Sequence, residues 1–528
     1  MVGASLVAGV ASLAVGGVSF AAASAASGCA HISVSAENAR VGGTGWETAG
    51  SPQPTSENGP VARALTTPLV QGYASSTSAV CGHRVGLHLG TLSSHAVVVR
   101  IQAWRLGYYH GRGGRLVWQS PLVSVHRPHT WLRNAPYTHM VTAPWATTLT
   151  VQIPHTWTQG VYELRIVPRT APSRAAVVPL VVRDPTRTTA LVQVLSVNTW
   201  QMYNDWGGWS AYSIPRSRVV SFDRPYAGIG WGNMMTFEYP LVRYLERTGT
   251  DVGYATDIDL NVGGTTLSHA RALLFGGHSE YWTTGMRTHL EQYVSRGVNA
   301  AFFGGNNMFW RPVPTGTSTT YRVMQMYRLA YLDPYAHNHA RASEMWRDAI
   351  INQPEQTTLG EQYGCDQVVM PMTVPSPSLG WIFANTGAHP GQVLPGVNGS
   401  ETDYPNAGVP VPSGTQLVTE ETFACPHRGL AASGAAVTLV PGPGAHGGLI
   451  FDAGTEDWAC NLSAACAPEL SGFVPDLPVG APFTPGVNTN DPVVESILQR
   501  ATRNILDVLA VGPAGWRATS DPYPLVNS

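Results

Sequence analysis

The side chains best placed to do chemistry follow a pair of glycines in the stretch Ala270–Trp282, ARALLFGGHSEYW. Four apolar residues read as a short strand buried on both faces, and His278, Ser279 and Glu280 come directly after it. In an extended segment residues two apart project to the same side, so His278 and Glu280 can enter one pocket. The competing reading makes this an ordinary strand-to-helix junction with Glu280 in a first helical turn, where the dipole favours a carboxylate. A second stretch, VNAAFFGGNNMFW, has the same form and puts Asn306 and Asn307 at the matching place. In open α/β sheets ligands bind beyond the carboxyl ends of the strands. Two such ends joined by a helix (283–296) make a β-α-β unit whose polar groups converge on one rim.

Other motifs carry less. In SVNTWQMYNDWGGWSAY, Tyr203 and Tyr212 flank a tightly turned aromatic loop. Ser279 in GHSEY lacks the second glycine of a nucleophile elbow, which disfavours a serine hydrolase. ATDIDL lacks the ligand series of a calcium loop, so Asp257 and Asp259 read as a helix cap and a surface group.

The elements around these residues divide the chain. From Cys29 to Asp184 short β-branched runs alternate with Gly, Pro, Asn and His clusters, and no stretch has helical periodicity. That pattern predicts an all-β sandwich of immunoglobulin type over 29–184. DPTRT (184–188) is the linker. From 188 to 513 strands and helices alternate, which predicts an α/β domain with a mainly parallel sheet covered on both faces. ALVQVLSVNTW, DVGYAT, AVTLVP and GGLIFDAG read as its further strands. MMTFEYPLVRYLERTG and VVESILQRATRNILDVLA read as helices. Residues 311–435 read as an insertion at the rim of the site, and 514–528 as a tail.

Composition bounds the function. Charged residues make up 12% of 528, with a net charge of −2, so no footprint for nucleic acid or an anionic membrane is present. Every one of the 31 cations is arginine, which removes lysine nucleophiles and Schiff bases. Residues 1–28 read as a secretory leader: a small, apolar run ends in an A-x-A-like site near Ala23–Ala26. A cleavage region of small residues argues against a transmembrane anchor. Cys29 lacks the large aliphatic residue three positions earlier that lipidation needs. Six cysteines suit an oxidising compartment, with Cys29–Cys81, Cys365–Cys425 and Cys460–Cys466 the most economical pairs.

NTWQMYNDWGGWSAYS, FDRPY, GGHSEYW, GGNNMFWR, GSETD and AGTEDW occur here in one order, and together they resemble the family of the N,N-dimethylformamidase beta (catalytic) subunit. WRLGYYHGRGGR, APW and WTQGVYELRI resemble the sandwich that precedes its C-terminal domain. The resemblance implies a glutamine-amidotransferase-like α/β fold and amide hydrolysis at one ferric ion, Fe(III), held by two tyrosines and a glutamate. It places Tyr203, Tyr212 and Glu280 as the metal ligands. It makes His278 a proton-transfer neighbour, Asn306 a polar site residue and Glu401 a distal catalytic carboxylate. Two departures stand out: the family enzyme has an active-site lysine, and it works with a small second subunit that nothing here encodes. The loop between the tyrosines is also shorter. Phenols become anionic ligands at neutral pH only beside a strong Lewis acid, and hard oxygen donors suit a hard trivalent ion. The expectation is a secreted hydrolase of a small amide-like substrate, with no nucleic-acid partner and homo-oligomers left open. The alternatives are a binding protein that kept the fold without activity, and a metal-free amidotransferase-like hydrolase.

Overall fold

Five strands of the central sheet are four- or five-residue runs in which successive side chains face different cores. Leu273 and Phe275 enter one apolar core while Ala272 and Leu274 enter another, and Ala300 and Phe302 are divided from Ala301 and Phe303 in the same way. Period-two alternation therefore does not show as apolar against polar, because both faces are covered. All four residues of Ala272–Phe275 are fully buried. At roughly 1.5–3 kcal/mol for a fully buried large apolar side chain, this strand anchors the sheet. The computed structural model describes Met1 and residues 28–47, 68–316, 320–462 and 491–520.

The sheet has seven strands in the order Val252–Thr256, Leu191–Leu195, Ala272–Phe275, Asn299–Phe302, Leu449–Asp452, Leu430–Pro441 and Gln416–Cys425. The first five run parallel and the last two antiparallel. Helix Thr284–Ser295 covers one face through Met286, Leu290 and Val294. Helices Tyr239–Arg247 and Pro492–Leu509 cover the other through Leu241, Leu245, Ile497, Ala501 and Ile505. Asp491 caps the last of these by accepting from the Val493 N–H. This is the layered α/β arrangement the alternation predicts.

Upstream, a three-stranded sheet (Gln71–Ala74, Arg84–Gly90, Leu149–Gln152) and a six-stranded sheet built around Val97–Leu106, Gly160–Pro168 and Ala176–Arg183 close on one apolar core. Leu87 and Val151 from the first meet Ile101, Leu164 and Leu180 from the second. The region is not purely β: Val34–Asn38 is a short helix capped by Ser33. It belongs to a polar seam between the two parts of the chain. There Arg105 is gripped through two nitrogens by Glu246, at 2.7 and 2.9 Å, and both side chains are buried.

Three local readings need correction. The strand in ALVQVLSVNTW stops at Leu195, and Val197–Tyr203 is a helix. Six of its seven residues are buried, so no amphipathic stripe could announce it. ATDIDL does open a helix, Asp257–Val262, but Asp257 is not its cap and Asp259 is not a free surface group. Its N-cap is Thr256, Asp259 completes a capping box, and Asp257 is buried and accepts from the Asn198 N–H at 2.9 Å. Residues 311–435 are not all an insertion: Gln416–Cys425 and the start of Leu430–Pro441 belong to the central sheet. Before them lies a long antiparallel pair, Gln362–Thr373 with Val393–Tyr404, whose register shifts break the alternation that would have marked it.

Disulfides join Cys29 to Cys81 and Cys365 to Cys425, as the economical pairing has it. Cys460 is also disulfide-bonded, and Cys466 lies outside the described residues. The leader lies almost entirely outside them too. Among the described residues no helix is long and apolar enough to cross a membrane.

Candidate metal-binding active site

The two Gly-Gly pairs set the floor of the site. A Cβ on Gly304 would lie 2.3 Å from the Gly277 carbonyl, and one on Gly276 would lie 2.3 Å from a Glu238 oxygen. Only glycine lets the neighbouring strand ends approach this closely. His278 then pairs with Gly305, and Tyr281 with Trp310, as isolated parallel bridges that extend the ladder past the sheet. Glu280 is in this extended segment. The following helix has Thr283 as its N-cap, so the helix-first-turn reading fails.

His278 and Glu280 share a buried pocket as their spacing predicts: Nε2 lies 3.4 Å from a Glu280 oxygen. It lies 3.5 Å from a Glu401 oxygen and has no hydrogen-bond partner. Nδ1 faces Asn233 Oδ1 at 3.1 Å and a Glu456 oxygen at 3.4 Å. Burial works against the imidazolium, but Glu280 and Glu401 outweigh it, and His278 titrates above its ordinary value. Burial also opposes ionisation of Glu280, which His278 and Arg328 overcome, so this carboxyl is held below the usual range.

Tyr203 and Tyr212 come together because the loop between them is stapled. Arg224 donates to the carbonyls of Trp209 at 2.7 Å and Gln201 at 3.2 Å, and Asn204 Oδ1 accepts from the N–H groups of Trp206 and Ala227. The two phenol rings stack with centroids 4.0 Å apart, and the Tyr203 ring meets the His278 ring edge-on at 5.5 Å. The Tyr212 hydroxyl donates to Glu280, with both oxygens at 2.8 Å. Burial first, and Glu280 beside them, push both phenols well above their ordinary titration.

Asn306 Nδ2 donates to Glu401 at 2.7 Å, and its backbone N–H to Asp403 at 2.8 Å. Its Oδ1 is buried without a partner. Asn306 has φ +50, a left-handed conformation that the Asp403 contacts hold in place. Glu401 comes from the rim hairpin, and its side chain is 20% exposed, the most accessible carboxylate of the group. Burial chiefly raises it to about 7, and His278 opposes the rise.

All six residues expected at the site thus lie in one buried cluster. Four others that the sequence reading did not nominate join them. Glu456 follows the strand Leu449–Asp452 in IFDAGTED, a third apolar strand ending in glycine and acid. That recurrence was the available signal. Glu238 sits in a π-helical turn with nothing in the sequence to mark it. Tyr281 and Arg328 complete the set: Arg328 donates to the Tyr281 hydroxyl and Tyr281 to that of Tyr212, each at 2.8 Å.

Three buried carboxylates, Glu238, Glu280 and Glu456, and the partly exposed Glu401 therefore surround one imidazole and one guanidinium. The unpartnered Asn306 Oδ1 and the excess of hard oxygen donors fit a multivalent cation. His278, Glu401 and Glu456 offer ligand atoms within 4.8 Å of one another and could hold a metal ion. Tyr203, Tyr212 and Glu280 form the adjoining oxygen-donor set.

A solved cycloisomaltooligosaccharide glucanotransferase of Paenibacillus sp., complexed with cycloisomaltoheptaose, is 10% identical over 51% of this chain and 36% of its own. Its TM-score of 0.15 carries no argument about fold. No curated protein matches the chain. The profile of the family described as N,N-dimethylformamidase beta subunit-like, C-terminal, matches residues 100–469. With well over half of its length matched, the chain belongs to this dimethylformamidase-like family of hydrolases.

Proposed function

We propose that the protein hydrolyses amide-like C–N bonds at a ferric centre held by Tyr203, Tyr212 and Glu280. The observation that carries the reading is the meeting of the Tyr212 hydroxyl with both Glu280 oxygens under the stacked Tyr203 ring, beside His278 and Glu401. Three hard, ionisable oxygen donors converge, and each phenol would give up its proton on ligation. A bound ferric ion would supply Lewis-acid polarisation of a carbonyl and acidify a water.

The chain's own groups divide the proton work. Glu401, titrating near neutrality and partly exposed, takes a proton from the attacking water and returns it to the leaving amine. His278 holds its proton between the carboxylates and stabilises Glu401 in its ionised form. Asn306 Nδ2 orients the Glu401 carboxylate through their hydrogen bond. The products are a carboxylic acid and an amine.

The same reading includes export through the 1–28 leader, an immunoglobulin-like topology for 29–184, a glutamine-amidotransferase-like topology for 188–513, and a boundary at 184–188. The two disulfides support export. Metal analysis of the purified protein, its visible spectrum and a screen of formamides and small amides test the proposal. One iron per chain, a tyrosinate charge-transfer band and amine release are expected. Protein without iron or band overturns the metal centre, and iron with no amide turnover overturns the reaction.

A further inference from the structure

Two buried arginines, Arg105 and Arg328, have contrasting surroundings. Arg105 is held by Glu246 through two nitrogens and by the Gln159 carbonyl, the dense pairing that a buried guanidinium needs for stability. Arg328 is equally buried and is built otherwise. Its guanidinium carbon lies 4.2 Å from the ring centre of Tyr212 and 4.4 Å from that of Trp310. Its nearest carboxylate, Glu280, is 3.9 Å away. It donates to the Tyr281 hydroxyl at 2.8 Å and to the Ala211 carbonyl at 3.2 Å, and its Nε has no partner. Its backbone has φ +68, a conformation non-glycine residues rarely adopt and one that concentrates at functional sites.

We infer that Arg328 is a positioning residue for the Tyr212 ligand. The inference rests on the metal-centre reading above. The flat guanidinium between two aromatic faces sets the tilt of the Tyr212 ring, and only arginine offers that planar stack. Tyr281 fixes the phenol oxygen from its edge: Arg328 donates to Tyr281, Tyr281 to Tyr212, and Tyr212 to Glu280. The Ala211 contact ties the same guanidinium to the residue preceding Tyr212. The cation also offsets the negative charge that the phenol oxygen carries as a ligand. In a chain without lysine, this buried cation is the fixed positive charge of the ligand set.

Three variants test the inference: Arg328→Met, Arg328→Lys and Tyr281→Phe, in the full-length protein. The readouts are ferric affinity by chelator competition and the position and intensity of the tyrosinate band, with thermal melting of the metal-free protein as a control. Partners that orient metal ligands typically change affinity about 10–100-fold when lost. Arg328→Met and Arg328→Lys should both fall in that range with a displaced band, because lysine restores charge but not the stack. Tyr281→Phe should give a smaller displacement in the same direction. Arg328→Lys with the affinity and band of the wild type overturns the inference, as does a Tyr281→Phe band identical to it. If Arg328→Met fails to fold, the other two decide. A wild type with neither iron nor band overturns the metal-centre reading itself, a different outcome from variants that match an iron-loaded wild type.

Discussion

Replacing Glu280 with Gln removes one negative charge from the centre of the site while nearly preserving shape. In the structure this carboxylate accepts from Tyr212, with both oxygens at 2.8 Å, and faces His278 at 3.4 Å and Arg328 at 3.9 Å. The glutamine amide keeps an acceptor for Tyr212 but presents N–H groups toward two cations. A hydrogen bond to a charged group is worth about 1.5–3 kcal/mol, so the metal-free variant should lose roughly 2 kcal/mol of stability. The loss for metal should be larger. Second-layer partners cost about 10–100-fold in affinity when removed, and a direct anionic ligand should exceed that range. The assay pairs iron content after equilibration against a chelator with the visible spectrum, and follows melting of the metal-free forms separately. The variant should be iron-poor and colourless while still folded. Full iron occupancy with an unchanged band would refute the assignment of Glu280 as a ligand.

Glu456→Gln separates the two donor sets: it should retain iron and the tyrosinate band, whereas a loss as large as that of Glu280→Gln would move the metal to His278, Glu401 and Glu456. Glu246→Ala leaves Arg105 buried without its charge partner and should cost about 3–5 kcal/mol, read as a lowered melting temperature. A shift within error of the wild type would show that the seam carries little stability. Glu163, raised by burial to about 8 against the modest opposition of Arg165, gives a pH signature. The folded state holds its proton where the unfolded state has lost it, so stability falls as pH rises from about 4.5 to about 8. The window spans about 3.5 pH units, on the order of 5 kcal/mol at 1.36 kcal/mol per unit. Glu163→Gln should flatten that slope in melts between pH 5 and 8, and an unaltered slope would sink the argument.

What the sequence determined alone was local. Strand, double glycine and polar triplet are written in consecutive residues at 272–280 and 299–307, and the pairing of His278 with Glu280 follows from extended geometry. Of the fifteen pairings that six cysteines allow, economy of spacing picks the two pairs seen, Cys29–Cys81 and Cys365–Cys425, but spacing alone does not exclude the others. The helix at Val197–Tyr203 was illegible because it is buried on nearly every side, which erases the stripe that marks a surface helix. The rim hairpin was illegible because its bulges interrupt the period of two. The tertiary structure alone decided the rest of the site. Arg328 sits 48 residues from Glu280, and Glu456 lies 176 residues beyond it, so no spacing rule connects them. Glu280 and Glu456 meet because parallel strands, ordered differently in space than in sequence, end at one edge of the sheet. Arg328 arrives from outside it, just after Val323–Gln325 of a separate three-stranded antiparallel sheet. The charge of the site is likewise a property of packing. The side chains are ordinary carboxylates and phenols, and enclosure with one imidazole and one stacked guanidinium is what shifts their titration.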